Sequence, residues 1–339
     1  MRYLILCAAL VLPSFGHAAS EKSTLIRNAL SSHVITNFAD FASRSTVLAQ
    51  TARDNCTADD PTLRAAFGEA FDAWIRVSHL RFGPTETDNR AFGLAFWPDS
   101  RGKTPRALKT MITSEDPAAH DPKIYGTISI AARGFYALEF LLYDAEIKET
   151  GTANYRCAVI QANTRNIAEI ANFILLDWDL SYADYMRHPN QGDSPYQSED
   201  EAIQELYKAV LTGLEFTANS RLGRPLGSFE RPRPNRAEAR RSDRSLRHVL
   251  LSVDSSVALS RLLAIGHDDL KTRIDAAHDI VKSNAQSIDK LDFSNITTAE
   301  NRLKVEILQQ SIIALRDLLI EHLGPHLGVK AGFNALDGD

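Results

Sequence analysis

A phenol and a carboxylate lie three residues apart in an apolar stretch of the chain, at Tyr136 and Glu139. Because positions i and i+3 share one face of a helix, their oxygens would point to the same place. Such a pair could bind a small ligand or a metal ion. The alternative is structural, with the hydroxyl bonded inside the protein and the carboxylate paired with an arginine. We place Gly134, two residues earlier, in the same predicted pocket.

A second group of polar residues, Arg76, His79 and Arg81, lies where a predicted helix ends before Gly83. His79 could act as a metal ligand or an acid–base group, or it could cap carbonyls and pack at the helix end. The two arginines could bind an anion, but an ion pair with Glu139 is the favoured interpretation. All three join the predicted pocket.

Nine arginines lie between Arg221 and Arg247. The guanidinium group presents a planar fork that suits carboxylate or phosphate, so an anion site is one interpretation. The favoured one is a solvated or interdomain face that local acidic residues neutralise. From this stretch we assign Arg244 to the predicted ligand-binding pocket.

Several common catalytic patterns are missing from the sequence. It has no HExxH, no GxSxG and no glycine-rich phosphate loop. A hydrolase of an ordinary class is therefore not indicated.

The spacing of apolar residues predicts an all-α fold. No proline occurs in 123–188 or 235–324, and both intervals carry apolar residues at helical spacing. No segment alternates as a strand would. The pattern predicts helices over 25–41, 61–77, 153–182, 198–218, 236–252, 255–265, 267–291 and 297–323.

Three long stretches interrupt this pattern, at 81–125, 188–198 and 221–235. The first is too long for a simple connection, so we expect an ordered loop with short helices or a functional segment. The second is the best candidate for a domain boundary. The sequence therefore predicts two antiparallel helical bundles, 20–190 and 196–339.

Residues 1–19 have the pattern of a cleaved secretory signal peptide. Arg2 precedes an apolar run that is too short to cross a bilayer, and small residues follow it. Cleavage leaves Cys56 and Cys157, an even pair in an oxidising compartment, which predicts one disulfide. The net charge of −5 gives no argument for nucleic acid or an anionic membrane surface, and no membrane span is expected after cleavage.

Together with this start, four segments resemble the imelysin family: 74–84, 96–99, 134–142 and 332–339. The resemblance covers nearly the whole mature chain. It implies a bacterial periplasmic or surface protein of two helical bundles, associated with iron regulation and uptake and labelled a metallopeptidase. The family motif Gly-x-His-x-x-Glu, proposed to form a metal or active site between the domains, falls here on Gly134, Tyr136 and Glu139.

Tyr136 stands where that motif has histidine. A neutral imidazole suits zinc, copper and ferrous iron, whereas a phenol must lose a proton near a pKa of about 10 before it coordinates well. A zinc peptidase site is therefore not favoured. Ferric iron could still accept a phenolate and carboxylates, so iron is the candidate cofactor and Tyr136 and Glu139 its candidate ligands.

Three functions follow. The favoured one is a non-catalytic periplasmic binding component linked to iron uptake or regulation, with a small ligand or metal ion in a polar interdomain pocket. The second is a metallopeptidase-type enzyme. The third is an envelope protein that docks a partner through a surface such as 81–125 and keeps only a vestigial site.

Overall fold

The computed structural model describes residues 20–329. The predicted signal peptide and the segment 332–339 lie outside the described residues. Within 20–329 there is no strand beyond one isolated bridge, which confirms the all-α fold. The α-helices are α1 (Glu21–Ala29), α2 (Thr36–Asp54), α3 (Pro61–Val77), α4 (Arg90–Leu94), α5 (Lys103–Thr113), α6 (Pro122–Tyr125), α7 (Gly134–Tyr143), α8 (Ala145–Glu149), α9 (Ala153–Asp177), α10 (Ala183–Arg187), α11 (Glu199–Phe216), α12 (Gly223–Leu226), α13 (Ser245–Leu263), α14 (Asp268–Gln286), α15 (Ala299–Leu318) and α16 (Gly324–His326).

The predicted start of α3 is confirmed in detail. The Asp60 side chain accepts the backbone N–H of Leu63, and Pro61 takes the first helical position, where a missing N–H leaves no bond unmade. The first predicted helix is longer than expected. A π-helical segment, Leu30–Ile35, joins α1 to α2 in one continuous run that reaches Asp54.

The first bundle is built around α2, which packs against α3 and α9, while α7 lies on α9. Its core holds a cluster of fully buried aromatic rings, in which Phe71 of α3 stacks on Phe135 of α7 at 4.6 Å between centroids. Each buried phenylalanine contributes about 1.5–3 kcal/mol. This stack therefore fixes α7, the helix with the Tyr136 and Glu139 pair, against α3.

The second bundle consists of α11, α13, α14 and α15. It meets the first where α13 packs on α3, and α1 lies on α11 and α13. The amino-terminal helix therefore contacts the carboxy-terminal bundle across the interface. The division between 190 and 196 stays a prediction.

Two predicted helices, 236–252 and 255–265, are wrong as separate elements. A single helix, α13, runs from Ser245 to Leu263. The residues before it form a turn in which Ala239 and Asp243 have φ of 46° and 55°. Left-handed backbone interrupts a right-handed helix, so α13 cannot start earlier. The turn instead packs against α7.

The third stretch that interrupts the helical pattern, predicted as 221–235, does not begin at 221. A π-helical segment, Thr217–Leu222, carries α11 onward, and α12 follows it directly. The last long helix, α15, begins at Ala299, two residues after its predicted start at 297. The stretch 81–125 is ordered and contains α4, α5, α6 and three short 3₁₀ turns, as one of its two interpretations expected. No helix among residues 20–329 is long and apolar enough to cross a membrane.

Cys56 and Cys157 form the predicted disulfide, with Cα atoms 5.1 Å apart. It ties the α2–α3 connection to α9 across a sequence separation of 101 residues. Closing so long a loop restricts the unfolded chain strongly.

We predict that the double change Cys56→Ser with Cys157→Ser lowers the free energy of unfolding by about 2–5 kcal/mol, because the loop is no longer closed in the unfolded chain. Urea denaturation followed by circular dichroism measures it. An unchanged midpoint in the double variant would show that the bond adds nothing to stability.

Candidate functional site

Gly134 fixes the start of α7. Its φ is 79°, and a Cβ there would lie 2.3 Å from the carbonyl oxygen of Leu94. Its N–H donates to Asn163 Oδ1 at 2.8 Å, and its carbonyl accepts from Asn163 Nδ2 at 3.2 Å. A residue without a side chain is required by both the conformation and the close approach. Gly134 therefore orients the motif helix and does not line the pocket.

Tyr136 and Glu139, although on one helix, have different partners. The Tyr136 hydroxyl donates to Glu238 Oε1. Glu139 Oε1 accepts the backbone N–H of Ser242 at 3.0 Å and its hydroxyl at 2.8 Å. Burial raises the pKa of Glu139, and the Ser242 bonds oppose that shift. Glu139 thus anchors the left-handed turn before α13 to the first bundle.

Glu238 is the acid at the centre of the site, and it is 1% exposed. Its Oε2 accepts from Nε of Arg221 at 2.7 Å, and that guanidinium also donates to the hydroxyls of Thr217 and Ser252. Burial would raise the pKa of Glu238, but the Arg221 charge, together with His248 and the Tyr136 hydroxyl, outweighs it and holds the pKa at about 2. Burial, reinforced by Glu238, raises the pKa of Tyr136 well above its usual value, so the phenol keeps its proton.

An interbundle cavity of about 130 Å³ lies beside this network. Trp97 forms one wall, with its ring stacked on Tyr136 at 6.2 Å and edge-on to Phe216 at 5.9 Å. The cavity is lined by Trp74, Ser78, His79, Arg81, Ala95, Trp97, Tyr136, Thr212, Gly213, Phe216, Arg221, Glu238 and Ser252. Both bundles and the 81–125 stretch therefore contribute to it.

Two polar groups of the interbundle cavity lack hydrogen-bond partners within 20–329. They are the ring nitrogens of His79 and the hydroxyl oxygen of Thr212, all buried. Burial, helped by His33 and Arg221, lowers the pKa of His79 well below its usual value, so the ring is neutral. It offers one donor and one acceptor. Buried polar groups normally have partners, so these two groups mark a place for a further molecule.

The structure brings together only part of the predicted pocket. Tyr136, His79 and Arg81 line the interbundle cavity. Arg76 lies outside it, and its backbone carbonyl accepts a hydrogen bond from the Ser255 hydroxyl. The expected ion pair with Glu139 is wrong, because Arg81 binds Glu86 and Glu139 is bonded to Ser242.

Arg244 also lies outside the cavity, where it binds Asp72 and the carbonyl of Gly68. Arg247 shares Asp72, and Arg241 binds Asp144 at 2.8 Å. These arginines of the second half thus pair with acids of the first bundle, as the interdomain interpretation expected.

Sequence reasoning missed Glu238, Arg221 and Thr212. The available signal was a lone acid between Arg231 and Arg241, inside a run of arginines. Its burial follows from the left-handed turn at Ala239, which no periodic pattern indicates. Periodicity therefore could not distinguish this acid from a solvated one.

The comparisons with known proteins agree with this fold. The family model described as imelysin, Peptidase M75, matches residues 34–319. The chain belongs to the imelysin family. An imelysin-like protein from Psychrobacter arcticum 273-4 has the same fold, with a TM-score of 0.75 and 17% identity over 92% of this chain and 97% of that one.

A second solved structure also has the imelysin fold. It is a protein assigned as an iron-regulated protein A precursor from Parabacteroides distasonis ATCC 8503, with a TM-score of 0.69 and 12% identity over 90% of this chain and 97% of that one. No curated protein matches the chain. At such identities the two structures establish the fold alone.

The donors at the family's motif do not suit a resident metal ion in this imelysin. Tyr136 is a protonated donor to Glu238, and the carboxylate of Glu238 is already neutralised by Arg221. Between residues 20 and 329 no group of three or more His, Cys, Asp and Glu side chains could hold a metal. Iron bound by Tyr136 and Glu139 stays a prediction.

We predict that Gly134→Ala destabilises the protein far more than Gly102→Ala. Both glycines have positive φ, but a Cβ at Gly102 meets nothing within 4 Å. Gly102→Ala should therefore lower the free energy of unfolding by about 1–2 kcal/mol, through backbone strain alone. Gly134→Ala should lower it by at least about 2 kcal/mol more, because the added Cβ also clashes. Chemical denaturation of the two variants measures the difference, and equal losses would contradict the close approach to Leu94.

We also predict that Glu238→Gln lowers the free energy of unfolding by about 3–5 kcal/mol, because it leaves the Arg221 charge buried without a counter-ion. Adding Arg221→Met should recover most of that loss, since the uncompensated charge is gone. Urea unfolding of both single variants and the double variant measures the coupling. Additive losses would show that the two side chains do not depend on each other.

Proposed function

We propose that this imelysin is a non-catalytic periplasmic binding protein linked to iron uptake or regulation, which holds a small polar ligand in the interbundle cavity. A volume of about 130 Å³ admits a molecule of a few heavy atoms and excludes a porphyrin. The aromatic walls at Trp97 and Phe216 would cover the ligand's faces, and buried polar groups of the cavity would fix its orientation.

The observation that carries this proposal is the pair of unpartnered groups, His79 and Thr212. Every other strong polar group at the centre, namely Tyr136, Arg221 and Glu238, is already hydrogen-bonded. His79 and Thr212 could together donate hydrogen bonds to one bound molecule and accept hydrogen bonds from it. A neutral His79 ring keeps this capacity throughout the physiological pH range, because its pKa is lowered well below its usual value.

Other features support the remaining parts of the proposal. The signal pattern at 1–19 and the disulfide favour an oxidising compartment such as the periplasm. The absence of a free donor set around Tyr136, among the residues that the structure describes, favours binding over catalysis, since a metallopeptidase needs an ion that activates water. The link to iron rests on the family and on the name of the Parabacteroides distasonis protein.

We predict that Thr212→Val weakens ligand binding severalfold, because it removes one hydrogen bond without changing the shape of the cavity. The ligand is first identified by mass spectrometry of small molecules released from the purified native protein. Thr85→Val is the matched control, since Thr85 is also a buried hydroxyl without a partner within 20–329 but lies outside the cavity. Equal affinities of the two variants, or no released molecule, would contradict the cavity ligand.

The metal version is tested by calorimetric titration of chelator-treated protein with ferric iron, ferrous iron, zinc and copper. If iron binds at the family motif, Tyr136→Phe and Glu139→Ala should each abolish the signal. Binding that survives both changes places the metal elsewhere. Cleavage of denatured protein substrates by the wild type, lost in Glu139→Gln, would overturn the non-catalytic assignment and favour the peptidase.

A further inference from the structure

A separate outer pocket of about 350 Å³ lies on the first bundle, and it shares no lining residue with the interbundle cavity. Its volume falls within the usual range of small-molecule sites. One wall is a face of α9, where Asn166, Ile170 and Phe173 follow at steps of four and three.

Arg133 is one of two cations that line the outer pocket. No carboxylate forms an ion pair with it in the described part of the chain, and its Nε is buried without an acceptor. Burial lowers the pKa of Arg133, with only the phenol of Tyr125 opposing the shift. The guanidinium lies beside Gly93, where an added Cβ would be 3.5 Å from its central carbon, an ordinary contact distance. A half-buried, unpaired guanidinium is ready to accept an anion.

The second cation of the pocket differs from Arg133 in being fully engaged. Arg90 binds Asp177 at 2.5 Å and the carbonyl of Pro84 at 3.1 Å. Its charge is therefore already compensated. Asp88, exposed at the rim, adds a negative charge. Arg133 and Asp88 are thus the two charges of this lining without an ion pair among residues 20–329, and only the Arg133 guanidinium is partly buried. A ligand with a single negative charge would pair with Arg133, while Asp88 disfavours any further negative charge.

Asn166 supplies an independent sign of a ligand. It is 6% exposed, lines the pocket, and its Oδ1 is buried without a partner among residues 20–329. A buried amide oxygen without a partner is uncommon in folded proteins. Its NH₂ could donate to a bound carboxylate, and its oxygen could accept from a hydroxyl or amine on the same molecule.

The apolar side of the pocket defines the rest of the ligand. Phe173 is 54% exposed at the mouth, with the Arg90 guanidinium 5.9 Å from its ring centre, and Ile170 lies about one turn earlier on α9. We infer that the outer pocket binds a small organic acid with one carboxylate, held by Arg133 and Asn166, and an apolar body against Ile170 and Phe173. This site does not depend on the proposed function of the interbundle cavity.

Calorimetric titration of the full mature protein with phenylacetate tests this inference. We expect binding of one molecule per chain, weakened at least about tenfold in Arg133→Met, because a charge-assisted hydrogen bond is lost. Arg101→Met, which removes the same charge from an exposed residue outside the pocket, should bind as the wild type does. Phe173→Ala changes an exposed side chain, so it should fold normally and bind severalfold more weakly.

Two further titrants distinguish a monocarboxylate from an aromatic cation and from an inorganic anion. Phenethylamine has a similar ring but a positive charge, and it should not bind. Inorganic phosphate should bind more weakly than phenylacetate, because Asp88 disfavours a dianion. The inference is overturned if phenylacetate gives no heat with the wild type, if Arg133→Met and Phe173→Ala both bind as tightly, or if phosphate binds as well as phenylacetate does.

Discussion

The buried ion pair of Arg221 and Glu238, completed by the Tyr136 hydroxyl, is the interaction on which the rest of the structure depends. It joins α7 of the first bundle to the π-helical end of α11 and the turn before α13. Removing two charges from water costs several kcal/mol each, and that cost is offset only when the partners meet in good geometry. The relative position of the two bundles is therefore strongly specified.

The left-handed turn at Ala239 and Asp243 converts that constraint into a site. It places Glu238 inward and presents Ser242 to Glu139, so both oxygen-bearing residues of the family motif contact the same turn from α7. The motif thus has a structural role in this imelysin, which is to hold the turn before α13 against α7. Histidine in place of Tyr136 would not make the same contact. A neutral imidazole is a better metal ligand, whereas the phenol donates to a carboxylate.

The two pockets differ in how their polar groups are balanced. In the interbundle cavity the charges neutralise each other, and only the neutral groups of His79 and Thr212 lack partners among the residues described. In the outer pocket a full charge on Arg133 has no partner within 20–329. This difference is why we propose a small polar molecule for the first pocket and an anion for the second. A single chain thus contains two pockets of different polarity, and the 81–125 stretch contributes to the lining of both.

The sequence by itself determined the all-α fold, most long helices, the disulfide and the place of the motif, because helical periodicity, prolines, caps and cysteine number are local signals. It also predicted that Tyr136, His79 and Arg81 line one pocket. Tertiary structure decided the rest. The turn with positive φ decided that Glu139 binds Ser242 rather than Arg81, and that Glu238 is buried rather than solvated. Both outcomes rest on contacts between residues about a hundred positions apart. Such contacts leave no periodic trace, so only the packing of the two bundles could settle them.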